Sequence, residues 1–519
     1  MLTLPLEPTD PLAAPLFRDA ESCAQWLNQL QLTNLQQAHG LLLTQINELT
    51  RFPMRGLERL NTLELLRDTV HYVQNDYAKK LISRPLPLSD HELIIFLSIV
   101  QLWQAMALGY QRCLQDYITG DKQLGKRGAL LCHRCLLYSG LAISEHLRTG
   151  YEFDAKLWHQ LHGLYAFAEK QGLNLKEITD PLKENAPPSS CRNIYVKILL
   201  TCYAHTAELT RSQLQLLDAW LTEWSAIVPL QRSYKISKGD ARPLALDIAG
   251  SQGLQPIRFV THKGGMRYLT MMPLSKLMRV KTILLQQGQT PQQLKLGKHN
   301  SAQECIELLT FLHQCWCEDN STRFGERNPS TQHAQLCHQR EKIHALLSGK
   351  SIKRTALTNS MAQPGSGLSL EGWRLENQSI LGAKLIRVDA AGGRLNNHQL
   401  VALRIGDAET FMLGVTTWVN VTRTGQLLIG VRYLPGTVQA ITLQTPDAVP
   451  AASDISAPGF LLQSVPALKT PASLIIPNNW FEPARIVDIQ HQNGEKQQAR
   501  MGFSVERGID YERVSFTLV

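Results

Sequence analysis

The chain reads as a multidomain α + β protein, with an N-terminal all-α bundle or solenoid followed by a C-terminal β-barrel and additional small β modules. Two observations predict this. Across residues 1–227, Leu, Ile and Ala recur at i, i+3 and i+4, the period of an amphipathic helix. From 228 onward the period shifts to two, and Gly-Gly and Gly-Asp pairs separate short β-branched runs, as hairpins require. A length of 519 residues also exceeds what one hydrophobic core serves.

In order along the chain, the helical period predicts helices over Trp26–Leu49, Leu57–Leu81, Asp90–Tyr117, Gly128–Arg148, Ala155–Gln171, Ile194–Leu209 and Ser212–Ser225. Pro53, Pro85, Pro87, Gly120, Gly150 and Pro187-Pro188 break the pattern between them. Ser89 with Glu92 gives an N-terminal capping signal for the third helix. Leu93 to Tyr110 is uncharged over 18 residues, long enough to raise a membrane span. Ser98, Gln101 and Gln104 make a polar stripe on it, however, which predicts a mostly buried bundle helix and no membrane span.

Residues 228–320 read as a small β module plus two helices. Its strands are expected at Arg232–Ile236, Leu244–Ile248, Ile257–Thr261 and Met266–Met271, and its helices at Leu274–Gln287 and Ser301–Glu318. Residues 321–444 read as a β-barrel. It opens with a short strand at His333–His338 and a helix at Glu341–Leu347, followed by strands Ala383–Val388, Gln399–Arg404, Phe411–Val419 and Leu427–Tyr433. Thr445–Gly459 is rich in Pro, Ala and Ser and reads as a linker. Residues 459–519 form a C-terminal β module, with strands at Phe460–Val465, Ser473–Ile476, Ala484–Gln490, Gln498–Val505 and Tyr511–Leu518.

The net charge of +9 and pI near 9.0 permit an anionic partner. The basic residues are dispersed with no dense Lys/Arg block, so no nucleic-acid partner is expected. Ten scattered Cys, with no basic n-region or apolar h-region in Met1–Ala14, point to reduced thiols and a cytoplasmic location.

Two short patterns carry the functional reading. Arg323-x-x-x-Arg327 is followed, with 49 residues between the two motifs, by Asn377-x-Ser379-x-x-Gly382. This order of RxxxR and [D/N]xSxxG in strand-rich sequence resembles the PilZ family, whose members are small β-barrels that bind cyclic di-GMP. The similarity runs from Ser321 to Ile441 and includes LGVTTW and LIGVRYL, which look like the family's later strands. The resemblance implies that Arg323 and Arg327 hold guanine and phosphate, while Asn377, Ser379 and Gly382 line the opposite wall. The chemistry suits those residue types. A guanidinium pairs bidentately with the guanine O6/N7 edge or with phosphate, and it stacks on a purine face. Gly admits a close backbone approach. The arginine segment is expected to close over the ligand and to change how the barrel packs on the helical region. The gap between the motifs is longer than the family's usual few tens of residues. Lys350 and Arg354 stand at the more usual spacing, with Lys in place of the first Arg.

Other patterns read as structural. Arg51/Arg55 and Arg55/Arg59 repeat the RxxxR spacing on what reads as one solvated helix face. Asp454-x-Ser456-x-x-Gly459 repeats the second motif inside the linker and reads as incidental. Gly120–Arg127 lacks the Ser/Thr that a P-loop needs. Cys132/Cys135, Cys315/Cys317 and Cys337 read as core thiols without the four ligands of a zinc site. His146, His159, His162 and His205 read as structural. No catalytic signature is present, so the chain is expected to be no enzyme and to need no metal or cofactor. The resulting expectation is a cyclic di-GMP receptor whose helical region contacts a protein partner. A scaffold with a degenerate, non-binding barrel is the alternative, and an enzyme with a site in the helical region is a further one.

Overall fold

A computed structural model describes residues 2–182, 187–235, 241–261, 264–318, 328–349, 370–389, 392–444 and 456–519. They fall into two units, Met1–Ser83 with Leu88–Thr322, and Arg84–Pro87 with Arg323–Val519. The α + β class is as the sequence predicts, with a helical N-terminal region and closed C-terminal barrels.

The first unit begins with helices α1 (Ala20–Gln29), α2 (Leu35–Arg51), α3 (Gly56–Ala78), α4 (Asp90–Ile118), α5 (Gly128–Thr149), α6 (Ala155–Lys170), α7 (Cys191–Tyr203) and α8 (Arg211–Trp224). The run expected as one helix over Trp26–Leu49 is broken, because the Asn34 side chain accepts the Gln37 N–H at 3.2 Å and starts α2 afresh. Ser89 and Glu92 form the expected capping box of α4. Among the described residues, α4 alone is long and apolar enough to cross a membrane, and 61% of its most apolar stretch is buried within the protein.

Strands β1 (Leu230–Gln231), β2 (Leu244–Asp247), β3 (Gln255–Pro256) and β4 (Met266–Leu269) pair in the order β1-β4-β2-β3. The strands expected at Arg232–Ile236 and Ile257–Thr261 do not form in the described residues. Pairing stops at Gln231 and Pro256, and Ile257–Phe259 closes into a 3-10 turn. Helices α9 (Met272–Gln286) and α10 (Ala302–Cys317) follow. Leu244, Leu246 and Leu269 of the sheet and Leu274, Leu308 and Trp316 of these helices join the same core as α2–α8, so this stretch packs with the helices before it.

That core encloses charge. Arg67 on α3 and Arg134 on α5 each keep 1% of their side-chain surface exposed. Arg134 grips Glu64 with two bonds of 2.8 and 3.0 Å, and Arg67 grips Asp180 with two of 2.7 Å. Tyr110 donates to Glu64 at 2.7 Å, and Arg67 donates to Tyr138 at 3.0 Å. Arg59 is buried as well, bonded to Asp116 at 2.9 Å and to the Phe52 carbonyl at 2.8 Å. The expected solvated Arg51/Arg55/Arg59 face is therefore corrected at Arg59, where α4 supplies the carboxylate that lets the charge go inside.

In the second unit, strands β5 (Asn328–Pro329) and β6 (His333–His338) precede α11 (Arg340–Leu347). Then come β7 (Glu371–Ser379), β8 (Gly382–Arg387), β9 (Leu400–Ile405), β10 (Met412–Val421) and β11 (Leu427–Tyr433). Their ladder runs β5-β7-β6-β9-β10-β11-β8, and β8 pairs back onto β7, which closes a ring of six strands. A second closed barrel, ordered β12-β13-β14-β17-β16-β15, comprises β12 (Val438–Gln444), β13 (Ser456–Leu462), β14 (Ser473–Ile476), β15 (Ile486–Gln490), β16 (Lys496–Arg507) and β17 (Glu512–Leu518). Ile343 of α11 packs with Leu400 and Leu413 of the first barrel and with Phe460, Ile475 and Tyr511 of the second. Residues Ser456–Gly459, expected in a linker, instead form the start of β13 and pair with β12; the rest of that linker, 445–455, lies outside the described residues. Leu86, between α3 and α4 in the chain, exchanges backbone hydrogen bonds of 2.8 Å with Leu395 in this unit.

Burial alone would push the Glu64 and Asp180 carboxyls up, but the guanidiniums of Arg134 and Arg67 outweigh it and hold both below their ordinary values. A carboxyl lowered on folding stabilises fully above the unfolded value of about 4, and loses that contribution as pH falls through the folded value. Helical circular dichroism during thermal unfolding should therefore show a midpoint that is steady above about pH 5 and falls below about pH 4. The fall should be shallower in a Glu64→Gln/Asp180→Asn variant.

Candidate functional site

Asn377, Ser379 and Gly382 come together at the β7–β8 hairpin. Along β7, Trp373 and Leu375 face the barrel interior and are fully buried. Strict alternation would also turn Asn377 inward. A bulge between Leu375 and Asn377 shifts the register, so Asn377 pairs with Lys384 and Ser379 with Gly382. One extra residue, Glu376, thus re-aims Asn377 to the outer face. Ile380 and Leu381 form the exposed turn. The Leu381 N–H donates to Ser379 Oγ at 3.3 Å, and Ser379 Oγ reaches the Gly382 carbonyl at 3.4 Å. A Cβ on Gly382 would strike the Val431 carbonyl oxygen of β11, so this position excludes any side chain.

Register extends the outer face across two more strands. Ser379 lies opposite Gly382, and Gly382 opposite Arg432 of β11. In the next row Asn377 lies opposite Lys384, Lys384 opposite Gly430, and Gly430 opposite Trp418 of β10. The Trp418 indole rests against Gly430, where a Cβ would collide with it. One further row along, Arg374 lies opposite Ile386. Three cations, an amide, a hydroxyl and an indole therefore share one face, with Gly382 bare of any side chain and Gly430 covered by the indole. Glu376 offsets part of the charge, at 3.4 Å from Arg374 and 3.6 Å from Lys384. Arg432 is ion-paired with Glu506 of β16, and Glu506 also accepts the Tyr511 hydroxyl at 2.6 Å. Such a face can take an anionic ligand with a planar ring, through charge-assisted hydrogen bonds and stacking.

The other expected ligand residues, Arg323 and Arg327, lie outside the described residues, as do Lys350 and Arg354. Asn328, the next residue in the chain after Arg327, pairs with Gln378, and Pro329 pairs with Asn377. Sequence reading missed Lys384, Trp418 and Arg432, although two of them stand within LGVTTW and LIGVRYL. Alternation along each strand was the available signal, but strand register was needed to bring them to one face.

Two of the remaining patterns have a structural setting. Cys132 and Cys135 are buried in α5, and burial pushes the Cys132 thiol up to about 12. His162 lies between the Gln252 carbonyl at 2.9 Å and the Tyr195 hydroxyl at 2.6 Å. Among the described residues, no group of three His, Cys, Asp or Glu could hold a metal ion.

With the geometry in place, comparison with known proteins is specific. Residues 21–234 match the family model described as "Cyclic-di-GMP receptor FimW, N-terminal domain". Residues 451–519 match the one described as "FimW C-terminal beta-barrel domain". The cyclic-di-GMP receptor FimW of Pseudomonas aeruginosa is 21% identical over 539 aligned residues, covering 91% of this chain and 86% of that protein.

Gly382→Ala should destabilise the second unit by about 1–3 kcal/mol, because a backbone carbonyl rather than a flexible side chain must yield. Denaturant unfolding of the variant against wild type measures it, with Gly494→Ala as the control for backbone strain alone. Nothing lies within 4 Å of the Gly494 Cβ position, so its cost is confined to backbone strain at φ +85.

Proposed function

We propose that this chain is a cytoplasmic receptor for cyclic di-GMP, with no enzymatic activity of its own. The ligand binds on the outer face of the first, PilZ-like barrel, and the helical unit carries the signal to a protein partner. The observation that carries this reading is the convergence at one hairpin. Asn377, Ser379 and Gly382 lie at the β7–β8 turn, and the segment that follows Arg327 pairs directly beside them. The 21% identity to a cyclic-di-GMP receptor along 91% of the chain adds support from an independent direction.

In this reading the ligand's two phosphates and guanine edges take the arginines, since a planar fork satisfies two acceptors at once. Lys384 adds charge on the same face, Trp418 offers an aromatic platform for a purine, and Asn377 supplies donors and an acceptor to a base edge. Gly382 lets a planar ring approach the backbone, and Gly430 seats the Trp418 indole against the sheet. By resemblance to the PilZ motif, Arg323 and Arg327 supply the forks that hold guanine and phosphate. Transmission requires that the ligand bind one arrangement of the protein more tightly than another.

Calorimetry with cyclic di-GMP, and GTP as control, tests the reading. Wild type should bind at micromolar or tighter affinity, and Arg323→Ala/Arg327→Ala should lose at least about 100-fold, since each charge-assisted bond contributes roughly tenfold or more. A folded wild type that fails to bind would leave the barrel as a protein-interaction module. Hydrogen exchange with and without ligand tests transmission, and an unchanged pattern outside the first barrel would sink that part.

A further inference from the structure

Arg432 occupies two settings at once. On β11 it stands directly opposite Gly382, in the row that also carries Ser379. Its guanidinium nevertheless pairs with Glu506, which belongs to the second barrel. The pair is partly open to solvent, with 40% of the arginine side chain and 26% of the glutamate exposed. An ion pair of that exposure is weak, and a phosphate oxygen competes with a carboxylate for the same fork.

Glu506 would not be stranded by losing this partner. The Tyr511 hydroxyl donates to it at 2.6 Å, and Arg513 lies within electrostatic range. It also stands at the root of the β16–β17 turn, which is docked on the first barrel. The Ile509 N–H donates to the His398 carbonyl at 2.9 Å, Asp510 Oδ1 accepts the Leu400 N–H at 3.0 Å, and Arg340 reaches the Asp510 carbonyl at 3.4 Å.

We propose that Arg432 is a ligand-gripping residue held in reserve by Glu506, so that nucleotide binding on the first barrel and the anchoring of the second barrel's β16–β17 turn compete for one guanidinium. This rests on the cyclic di-GMP reading. When the ligand phosphate takes Arg432, Glu506 keeps its bond to Tyr511, and the turn loses one of its ties to the first barrel. Binding is thereby coupled to the second barrel without any contact between ligand and second barrel.

The test measures cyclic di-GMP affinity by calorimetry on full-length wild type, Glu506→Gln, Arg432→Ala and Arg432→Lys. Removing the competing carboxylate should tighten binding by about two- to fivefold. Arg432→Ala should weaken it by about tenfold or more, with Arg432→Lys between, because Lys keeps the charge and loses the fork. Hydrogen exchange on wild type supplies a readout that needs no variant to fold: exchange across Glu506–Tyr511 should rise with saturating ligand. If wild type binds but Glu506→Gln and Arg432→Ala bind equally well, or exchange over the turn does not change, the competition is overturned while the receptor reading stands. A wild type that does not bind overturns both.

Discussion

The first barrel closes because one strand, β7, is paired on both edges. It meets β6 on one side and β8 on the other, and takes β5 at its end. A barrel has no free edge only if that last pairing forms. The turn that makes it is the one carrying Ser379 and Gly382, so closure of the fold and construction of the candidate site are the same event. The bulge at Glu376 serves both. It lets β7 bend into the ring, and it brings Asn377 to the outer face after two inward residues. A substitution at this hairpin consequently acts on the fold and on the candidate site together, which is why any binding measurement there needs a stability measurement beside it.

Closure on its own leaves an isolated ring, and the second barrel is fused to it through a common core. Leu434, only a few residues before β12, packs with Ala440, Phe460 and Tyr511, and Ile343 of α11 fills the join. Each such side chain contributes about 1.5–3 kcal/mol when fully buried. His344 adds a 2.9 Å bond to the Ile441 carbonyl. The two rings thus share one cluster of buried side chains, and a cavity opened at that joint removes packing from both.

Much of the helical region was legible because its signals are local. Ser89 and Glu92 mark the start of α4 within one turn, and the period of Gly128–Arg148 needs no knowledge of partners. Strand β6 was also readable at its true bounds. The failures share a cause. Asn34 was passed over inside a helical run because apolar spacing continued on both sides of it. Arg59 was read as solvated because its counter-charge, Asp116, lies on another helix. Strand β12 could not be assigned to the second barrel, whose other strands lie across an intervening Pro-rich stretch. The basic and aromatic face of the candidate site was invisible for the same reason. Asn377, Lys384 and Trp418 are neighbours only through register across four strands.

The buried charges of the helical unit have a consequence for where the chain can be cut. Glu64, Arg67, Tyr110 and Arg134 all precede residue 170 in the chain, but the second carboxylate of the cluster, Asp180, comes after α6. In a chain that ends after the first six helices, the two guanidiniums of this cluster have one carboxylate, Glu64, between them. Burying an uncompensated charge is costly, so the side-chain bridge between α3 and α5 reaches charge balance only when Asp180 is present. A chain cut before that point would lack the counter-ion that Arg67 and Arg134 share.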